Sequence, residues 1–220
     1  MADIVIFGAG QIAELAHFYF THDSGHRVAG FTVDAAHLGQ GSFCGLPLVA
    51  FEELLSRFPA ARHDAFVALG YSKLNQLRAD KCAAMKALGY RLSSYVSSRA
   101  TLFPDFRVGE NCFILENSTI QPYARIANNV TLWSGSAVAH HATIDDNVFV
   151  SGNVVIGGSA TVGEGCFLGV GSTIRDLVKL GRRCVIGAGA LILGDTEDGS
   201  VYTSPAARKS PVPSHRLRRI

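Results

Sequence analysis

The stretch VAHHATIDDNVFVSGNVVIGGSATV, residues 138–162, decides the fold of this chain. It carries an aliphatic residue at every sixth position, and the same spacing continues without a break from Val96 to Ile192. Buried positions recur about every 3.6 residues in an α-helix and every second residue in a strand, so neither element explains a period of six. A repeated hexad is typical of a parallel β-helix, and we predict one here.

One coil of this β-helix takes three hexads, one for each side of a triangular prism. The aliphatic residue points inward, and a mostly small residue four positions later fits beside it where the walls converge. These positions hold Cys112, Ser118, Ala124, Val130, Ser136, Ala142, Val148, Val154, Ala160, Cys166, Ser172, Val178, Cys184 and Ala190. Because three cysteines fall in this set, we predict core residues and neither a disulfide framework nor a zinc site.

Residues one coil apart stack, so each corner of the prism presents a column of side chains. The first column is Pro104, Pro122, His140, Gly158 and Asp176; the second is Ser134, Gly152, Val170 and Ala188; the third is Asn128, Asp146, Glu164 and Arg182. The small residues of the second column would admit an extended ligand along the prism edge or allow close packing of subunits. The sequence leaves both interpretations open.

The first ninety residues alternate strands and helices, which predicts a small parallel sheet with helices packed on it. We expect strands at residues 4–7, 28–33 and 65–69, and helices at residues 11–20, 51–57 and 73–88. Ser72 is the expected N-cap of the last helix, and Gly89 is its expected C′ residue.

Composition limits the class of protein. The chain has 220 residues, 48% of them hydrophobic, and a net charge of +2. No apolar run reaches the roughly 18 residues that span a membrane, and the low charge argues against a nucleic-acid binder. The N-terminus enters a strand at once and lacks the features of a signal peptide, which predicts a cytoplasmic protein. We predict an α/β Rossmann-like domain at residues 1–92, an all-β parallel β-helix at 93–196 and a C-terminal tail at 197–220.

A glycine-rich turn follows the first predicted strand. Gly8-x-Gly10-x-x-Ala13 resembles a nucleotide-binding fingerprint, in which glycines let a phosphate approach a helix N-terminus. Asp34 ends the second strand, where its carboxylate could accept a hydrogen bond from a ribose hydroxyl. The same glycines would serve a tight turn without a ligand equally well. The short sheet suits a mononucleotide or a nucleotide sugar better than NAD.

Two adjacent histidines, His140 and His141, occupy a corner of the predicted prism. An exposed imidazole there could act as a general base near neutral pH. A pair of solvated surface histidines is the alternative. A zinc site would need a third ligand, and neither histidine nor cysteine offers one nearby in the β-helix.

The hexads together with SAVAHHATIDDNVFVS, residues 136–151, resemble the hexapeptide-repeat acyltransferases. The preceding Rossmann-like unit narrows the resemblance to the subgroup that acetylates nucleotide-linked amino sugars in bacterial surface-glycan (lipopolysaccharide) synthesis. That subgroup also includes sialic-acid O-acetyltransferases. The resemblance spans essentially the whole chain and implies a left-handed β-helix, a homotrimer, and acetyl-CoA bound along the seam between adjacent subunits, with no metal.

The resemblance also implies roles for individual residues. His140 matches the catalytic histidine, and we assign His141 a supporting role. Coenzyme contacts fall on Phe149, Val170 and Ala188, and Gly152 joins them through the small-residue column. Nucleotide-sugar contacts fall on Gly8, Ala9, Gly10, Gln11, Ile12, Thr32, Val33 and Asp34.

Two departures from the family pattern bear on these roles. Some members follow the catalytic histidine with a glutamate, where this chain has His141. A carboxylate favours the imidazolium more strongly than a second imidazole does. Many members carry Gly-His in the first turn, where this chain has Gln11 and Ile12, which puts the sugar-side contacts in question.

We therefore expect an acetyl-CoA-dependent N-acetyltransferase acting on a nucleotide-linked amino sugar, with His140 as general base. O-acetylation of a sugar hydroxyl is the nearest rival, and it depends more on a base because a neutral amine is already nucleophilic. A carbonic-anhydrase-like metalloenzyme is a second rival, but the sequence offers no third histidine to complete its metal site. A noncatalytic nucleotide-binding scaffold is the rival from another class.

Overall fold

The computed structural model describes residues 3–104 and 106–216. Its N-terminal domain is a sheet flanked by helices. The elements are β1 (Asp3–Phe7), α1 (Gln11–His22), β2 (Val28–Val33), β3 (Ser42–Phe43), β4 (Leu46–Ala50), α2 (Leu54–Arg57), β5 (His63–Val67) and α3 (Gln76–Ala87), with 3-10 turns at Ala35–His37 and Phe51–Glu53.

The sheet has the strand order β3-β4-β2-β1-β5, in which all neighbours are parallel except the short edge strand β3. The four parallel strands follow the order 3-2-1-4, which is part of the Rossmann strand order 3-2-1-4-5-6, and the carboxyl ends of β1, β2 and β5 lie at one edge. Strand β5 begins and ends two residues earlier than predicted, because it pairs with β1 over its whole length, from Asp3 with His63 to Phe7 with Val67.

The start of α3 was predicted wrongly. The helix begins at Gln76, not at Lys73, and Ser72 is not its N-cap. Lys73, Leu74 and Asn75 have positive φ values of 52°, 52° and 66°, which form a left-handed turn. The cause is tertiary, since the buried Asn75 amide donates to the carbonyls of Gly165 and Cys166 in the β-helix, at 3.1 and 3.0 Å.

The second domain is a parallel β-helix of two-residue strands. They are β6 (Tyr95–Val96), β7 (Thr101–Leu102), β8 (Phe113–Ile114), β9 (Thr119–Ile120), β10 (Arg125–Ile126), β11 (Thr131–Leu132), β12 (Ala137–Val138), β13 (Thr143–Ile144), β14 (Phe149–Val150), β15 (Val155–Ile156), β16 (Thr161–Val162), β17 (Phe167–Leu168), β18 (Thr173–Ile174), β19 (Lys179–Leu180), β20 (Val185–Ile186), β21 (Leu191–Ile192) and β22 (Val201–Tyr202). Each strand pairs with the strand one coil away, as in Thr131 with Phe149. The predicted stacking is therefore confirmed.

The strands form three flat faces. Face 1 is β22-β20-β17-β14-β11-β8-β6, face 2 is β21-β18-β15-β12-β9-β7, and face 3 is β10-β13-β16-β19. Face 1 extends into the predicted tail, because Val201–Tyr202 pairs with β20.

The hexad residues fill the prism as predicted. From Ile114 to Ile192 every aliphatic position is at most 5% exposed. Near the N-terminal end Val96 and Val108 are only partly buried and Leu102 is 36% exposed, because fewer coils cover them there. The cysteines at the small positions are buried and unpaired, and burial raises the pKa of the Cys166 thiol to about 12.

Face 1 packs against the N-terminal domain through aromatic residues. Phe113 on β8 meets Phe66 on β5 with ring centroids 5.4 Å apart, and Phe66 meets Phe20 on α1 at 5.1 Å. Burying such side chains is worth about 1.5–3 kcal/mol each. The contact fixes how the sheet edge of the first domain stands relative to the corners of the second.

Arg78 of α3 links the domains beneath this contact, at 1% exposure. Its guanidinium donates to the side chain and carbonyl of Asn129 at 2.9 and 3.0 Å, and to the carbonyls of Asn147 and Val148 at 3.3 Å each. It also donates to Gly70 of its own domain at 3.1 Å. These acceptors are neutral, and burial lowers the pKa of Arg78 to about 10.

Candidate active site

The histidine pair stands exposed at the corner between faces 2 and 3. The backbone N–H of His140 donates to Gln121 Oε1 at 2.9 Å, which ties this turn to the coil before it. His140 Nδ1 lies 3.2 Å from His141 Nδ1. A neutral imidazole has one donor and one acceptor nitrogen, so one ring donates to the other across this contact.

The imidazole of His140 lies directly over Gly158, one coil further on. A Cβ atom at Gly158 would come within 2.9 Å of His140 Cε1 and 3.0 Å of Nε2. Glycine is therefore needed for the observed ring position. Gly158 is itself held by its N–H, which donates to Asp176 Oδ1 at 2.6 Å.

This corner differs from the other two in its left-handed residues. Each corner turn has one residue with a positive φ. At the other two corners this residue is mainly asparagine or glycine, which tolerate positive φ. Here the position is filled by Tyr123, His141, Ser159 and Leu177, with φ values between 56° and 67°. Tyr123 and Leu177 are 75% and 72% exposed, and the Tyr123 ring lies 4.8 Å from that of His141. Bulky residues in strained conformations are therefore presented outward beside His140.

The predicted coenzyme residues fall into two groups. Gly152, Val170 and Ala188 stack at the corner between faces 1 and 2, where Gly189 N donates to Val170 O at 2.9 Å. Val170 is 56% exposed. Phe149 lies apart from them at 3% exposure, on face 1, with its ring 5.0 Å from the ring of Tyr71.

Face 2 separates the histidine corner from the small-residue corner. The outward residues of its two-residue strands are uncharged: Thr101, Thr119, Ala137, Val155, Thr173 and Leu191. Val155 and Leu191 are 44% and 60% exposed. Face 3, in contrast, carries Arg125 and Lys179. Of the two faces that the N-terminal domain leaves open, face 2 therefore has the less charged strands.

The predicted nucleotide residues converge at the carboxyl edge of the sheet. A cavity of about 400 Å³ is lined by Phe7, Gly8, Ala9, Gly10, Val33, Asp34, His37, Leu69, Leu77 and Lys81. Gly8 has φ 127°, and a Cβ there would lie 2.9 Å from the Ala68 carbonyl oxygen, so only glycine fits this turn. Gln11 and Ile12 begin α1 just beyond it, whereas the buried Thr32 does not line the cavity.

Lys81 and His37 in this cavity were missed by the sequence analysis. Lys81 Nζ lies 2.5 Å from Asp34 Oδ1. Lys81 follows Leu77 by four residues, so both side chains lie on the same face of α3. Both line the cavity. That spacing was the available signal.

Two further observations concern the described residues alone. No group of three histidine, cysteine or acidic side chains among residues 3–104 and 106–216 is arranged to hold a metal ion. None of the helices in these segments has the length and apolar character to cross a membrane.

Comparison with known proteins supports this architecture. The family model described as bacterial transferase hexapeptide (six repeats) matches residues 123–158, 141–176 and 159–194, which shift by one coil at a time. No curated protein sequence matches significantly.

Solved structures are similar over nearly the whole chain. One is a perosamine N-acetyltransferase mutant from Caulobacter crescentus in complex with CoA and GDP-perosamine, at 24% identity and a TM-score of 0.84, covering 96% of this chain and 98% of that one. The acetyltransferase domain of PglB from Neisseria gonorrhoeae has 23% identity and a TM-score of 0.81, covering 93% and 97%. WeeI from Acinetobacter baumannii has 17% identity and a TM-score of 0.73, covering 94% and 99%. The predicted fold class, a Rossmann-like domain followed by a left-handed parallel β-helix, is thereby confirmed.

Proposed function

We propose that this protein is an acetyl-CoA-dependent N-acetyltransferase whose acceptor is a nucleotide-linked amino sugar. The observation that carries the proposal is the exposed imidazole of His140 over Gly158, on the same chain as a glycine-turn cavity that suits a nucleotide. The similar structures include one in complex with CoA and GDP-perosamine, which supports both substrate classes.

His140 acts as the general base in this proposal. When His140 carries its proton on Nδ1 and donates it to His141 Nδ1, its Nε2 keeps a lone pair for catalysis. The sugar amine attacks the thioester carbonyl, so that a C–N bond forms and the C–S bond breaks. Nε2 takes the proton lost by the amine and returns it to the departing thiolate. His141 orients the ring, as an acceptor at Nδ1 does in other histidine bases.

Acetyl-CoA lies along the corner of Gly152, Val170 and Ala188, where small side chains expose the backbone. We assign Phe149 to the domain contact, because Tyr71 and Phe167 of the same chain cover it. No metal takes part in the proposed chemistry.

The direct test is transfer itself. Purified protein is mixed with acetyl-CoA and a panel of nucleotide-linked amino sugars, and free CoA thiol is measured. We expect thiol release that requires both substrates and a product heavier by one acetyl group. A product acetylated on oxygen would favour the rival O-acetyltransferase, and no transfer to any acceptor would refute the enzyme assignment.

Asp34 provides a test of the nucleotide end. Because it closes the cavity at the end of β2, Asp34→Ala should raise the KM for the nucleotide sugar and leave the KM for acetyl-CoA nearly unchanged. Steady-state kinetics with each substrate varied in turn measures both. Identical KM values in the variant and the parent would reduce Asp34 to a turn-forming residue.

The active form should be a homotrimer. The histidine corner and the coenzyme corner flank opposite edges of face 2, so we propose that acetyl-CoA at the small-residue corner of one chain meets His140 of a second copy. Leu191→Glu places a charge on the uncharged strands of face 2, and light scattering should show loss of a species of three 23.4 kDa chains together with activity. Lys179→Glu on face 3 is the matched control and should remain trimeric. An active monomer of the parent protein would contradict this assembly.

A further inference from the structure

Lys81 reaches into the nucleotide cavity from α3, opposite the glycine turn. Its Nζ lies 2.5 Å from Asp34 Oδ1, and the side chains of Lys81 and Asp34 are 18% and 35% exposed. Nζ also lies 5.1 Å from the ring centroid of Phe7 and 5.3 Å from that of Phe51. Two aromatic rings and one carboxylate therefore hold this ammonium in place.

We infer that Lys81 is a positioning residue for nucleotide recognition, which aims the Asp34 carboxylate at the ribose and cancels its charge beside the diphosphate. The inference rests on the proposed function, since it concerns the nucleotide part of the acceptor. The ion pair occupies Oδ1 of Asp34, and we assign Oδ2 to the ribose 2′-hydroxyl.

The electrostatic reason lies in the shared cavity. Gly8, Ala9 and Gly10 line it together with Asp34, so a diphosphate at the glycine turn would sit close to a carboxylate. Like charges in a partly buried cavity repel more strongly than in water. The paired Lys81 ammonium removes this repulsion, because the ion pair has no net charge.

The geometric reason is that a lone carboxylate would be free to rotate. An ammonium has three donors, of which one is directed at Asp34. The rings of Phe7 and Phe51 limit where the ammonium can go, and the ammonium in turn fixes the carboxylate. Asp34 then meets the ribose with less loss of side-chain entropy on binding.

The test is nucleotide binding by isothermal titration calorimetry on the full chain, with UDP, GDP and their 2′-deoxy forms. The variants are Lys81→Met, Asp34→Asn and the double variant. The matched control is Lys86→Met. Lys86 lies further along α3, and this change removes its exposed ion pair with Glu110 of the β-helix. Circular dichroism checks that each variant is folded.

We expect Lys81→Met to raise the Kd for UDP and GDP roughly tenfold. We also expect it to abolish the preference for these nucleotides over their 2′-deoxy forms. The double variant should bind the nucleotides no more weakly than Lys81→Met alone. In Lys81→Met the Asp34 carboxylate has lost its ammonium partner, and Asp34→Asn removes the negative charge of that carboxylate. Lys86→Met should bind like the parent protein.

Two other results separate the inference from the function beneath it. The parent protein could bind UDP or GDP while the losses of binding free energy in Lys81→Met and Asp34→Asn add up in the double variant. Lys81 would then act independently of Asp34, and the inference would be wrong. If the parent protein binds none of these nucleotides, the proposed nucleotide-sugar acceptor fails, and the inference falls with it.

Discussion

His140→Ala should lower kcat by about 10²–10⁴-fold, the usual contribution of a positioned general base, while acetyl-CoA still binds. The side chain is exposed and lies on the surface of a corner turn, so its removal should leave the β-helix core intact. The measurements are kcat at saturating concentrations of both substrates and the Kd for acetyl-CoA. Wild-type kcat across the pH range would show that the base is assigned wrongly.

Gly158→Ala is a companion variant that keeps the base but moves it. The new Cβ would lie 2.9–3.0 Å from the His140 ring, so the imidazole must swing away, whereas the backbone of Gly158 has no positive φ to oppose alanine. We expect normal thermal stability and a loss of kcat that approaches that of His140→Ala. Unchanged kcat would mean that the observed ring position is not the reactive one.

His141 should matter less than His140. His141→Ala removes the Nδ1 partner but leaves the base, so kcat should fall by a smaller factor than in His140→Ala. His141→Asn keeps an acceptor oxygen and suits the left-handed φ of 60° better than histidine does. It should therefore be at least as stable as the parent chain. A larger loss in His141→Ala than in His140→Ala would transfer the base to His141.

The β-helix could be predicted because its cause is local and repeated. Each hexad from Val96 to Ile192 has one aliphatic residue, which identifies the position that points inward. The stacking of residues one coil apart follows from the period alone. The same register placed His140 at an outward corner and put Gly152, Val170 and Ala188 in one column. The register also put Phe149 on an outward strand position, but it gave no sign of the Tyr71 ring beside it, because Tyr71 belongs to the other domain.

The start of α3 shows the opposite case. Ser72 followed by a helical pattern favours a helix that begins at Lys73, and nothing local contradicts this. The left-handed turn instead depends on hydrogen bonds from Asn75 to Gly165 and Cys166, some ninety residues away in sequence. The spacing of Leu77 and Lys81 indicated which face of α3 they share, but not that Asp34 is the partner of Lys81, because that contact joins two elements 47 residues apart in sequence.

Arg78 carries a sequence signal that could have been used. Arg78, Cys82 and Met85 are the buried residues of α3 and follow the spacing of one helical stripe. A charged residue on a buried stripe must find polar partners, and most of the partners here are backbone and amide oxygens of the β-helix. The residue therefore marks where the two domains meet.

Arg78→Met should destabilise the protein by about 3 kcal/mol, because it keeps the side-chain volume but leaves buried oxygens of Asn129, Asn147 and Val148 without this donor. Removing a buried charge also removes its desolvation cost, which works in the opposite direction. Val148 O still accepts from Thr131 N, and Asn129 Oδ1 still accepts from Asn111. The carbonyls of Asn129 and Asn147 therefore bear most of the loss and decide the balance.

Urea unfolding followed by Trp133 fluorescence measures this effect at the domain contact, because the single tryptophan packs against the core shared by the two domains. Arg62→Met, at an exposed arginine, is the matched control and should change stability by less than about 0.5 kcal/mol. Arg78→Lys keeps the charge but not the planar fork of donors, so most of the loss should remain. If Arg78→Lys were as stable as the parent chain, charge alone would hold the domains together, and the hydrogen-bond fork would not be the reason that this position is an arginine.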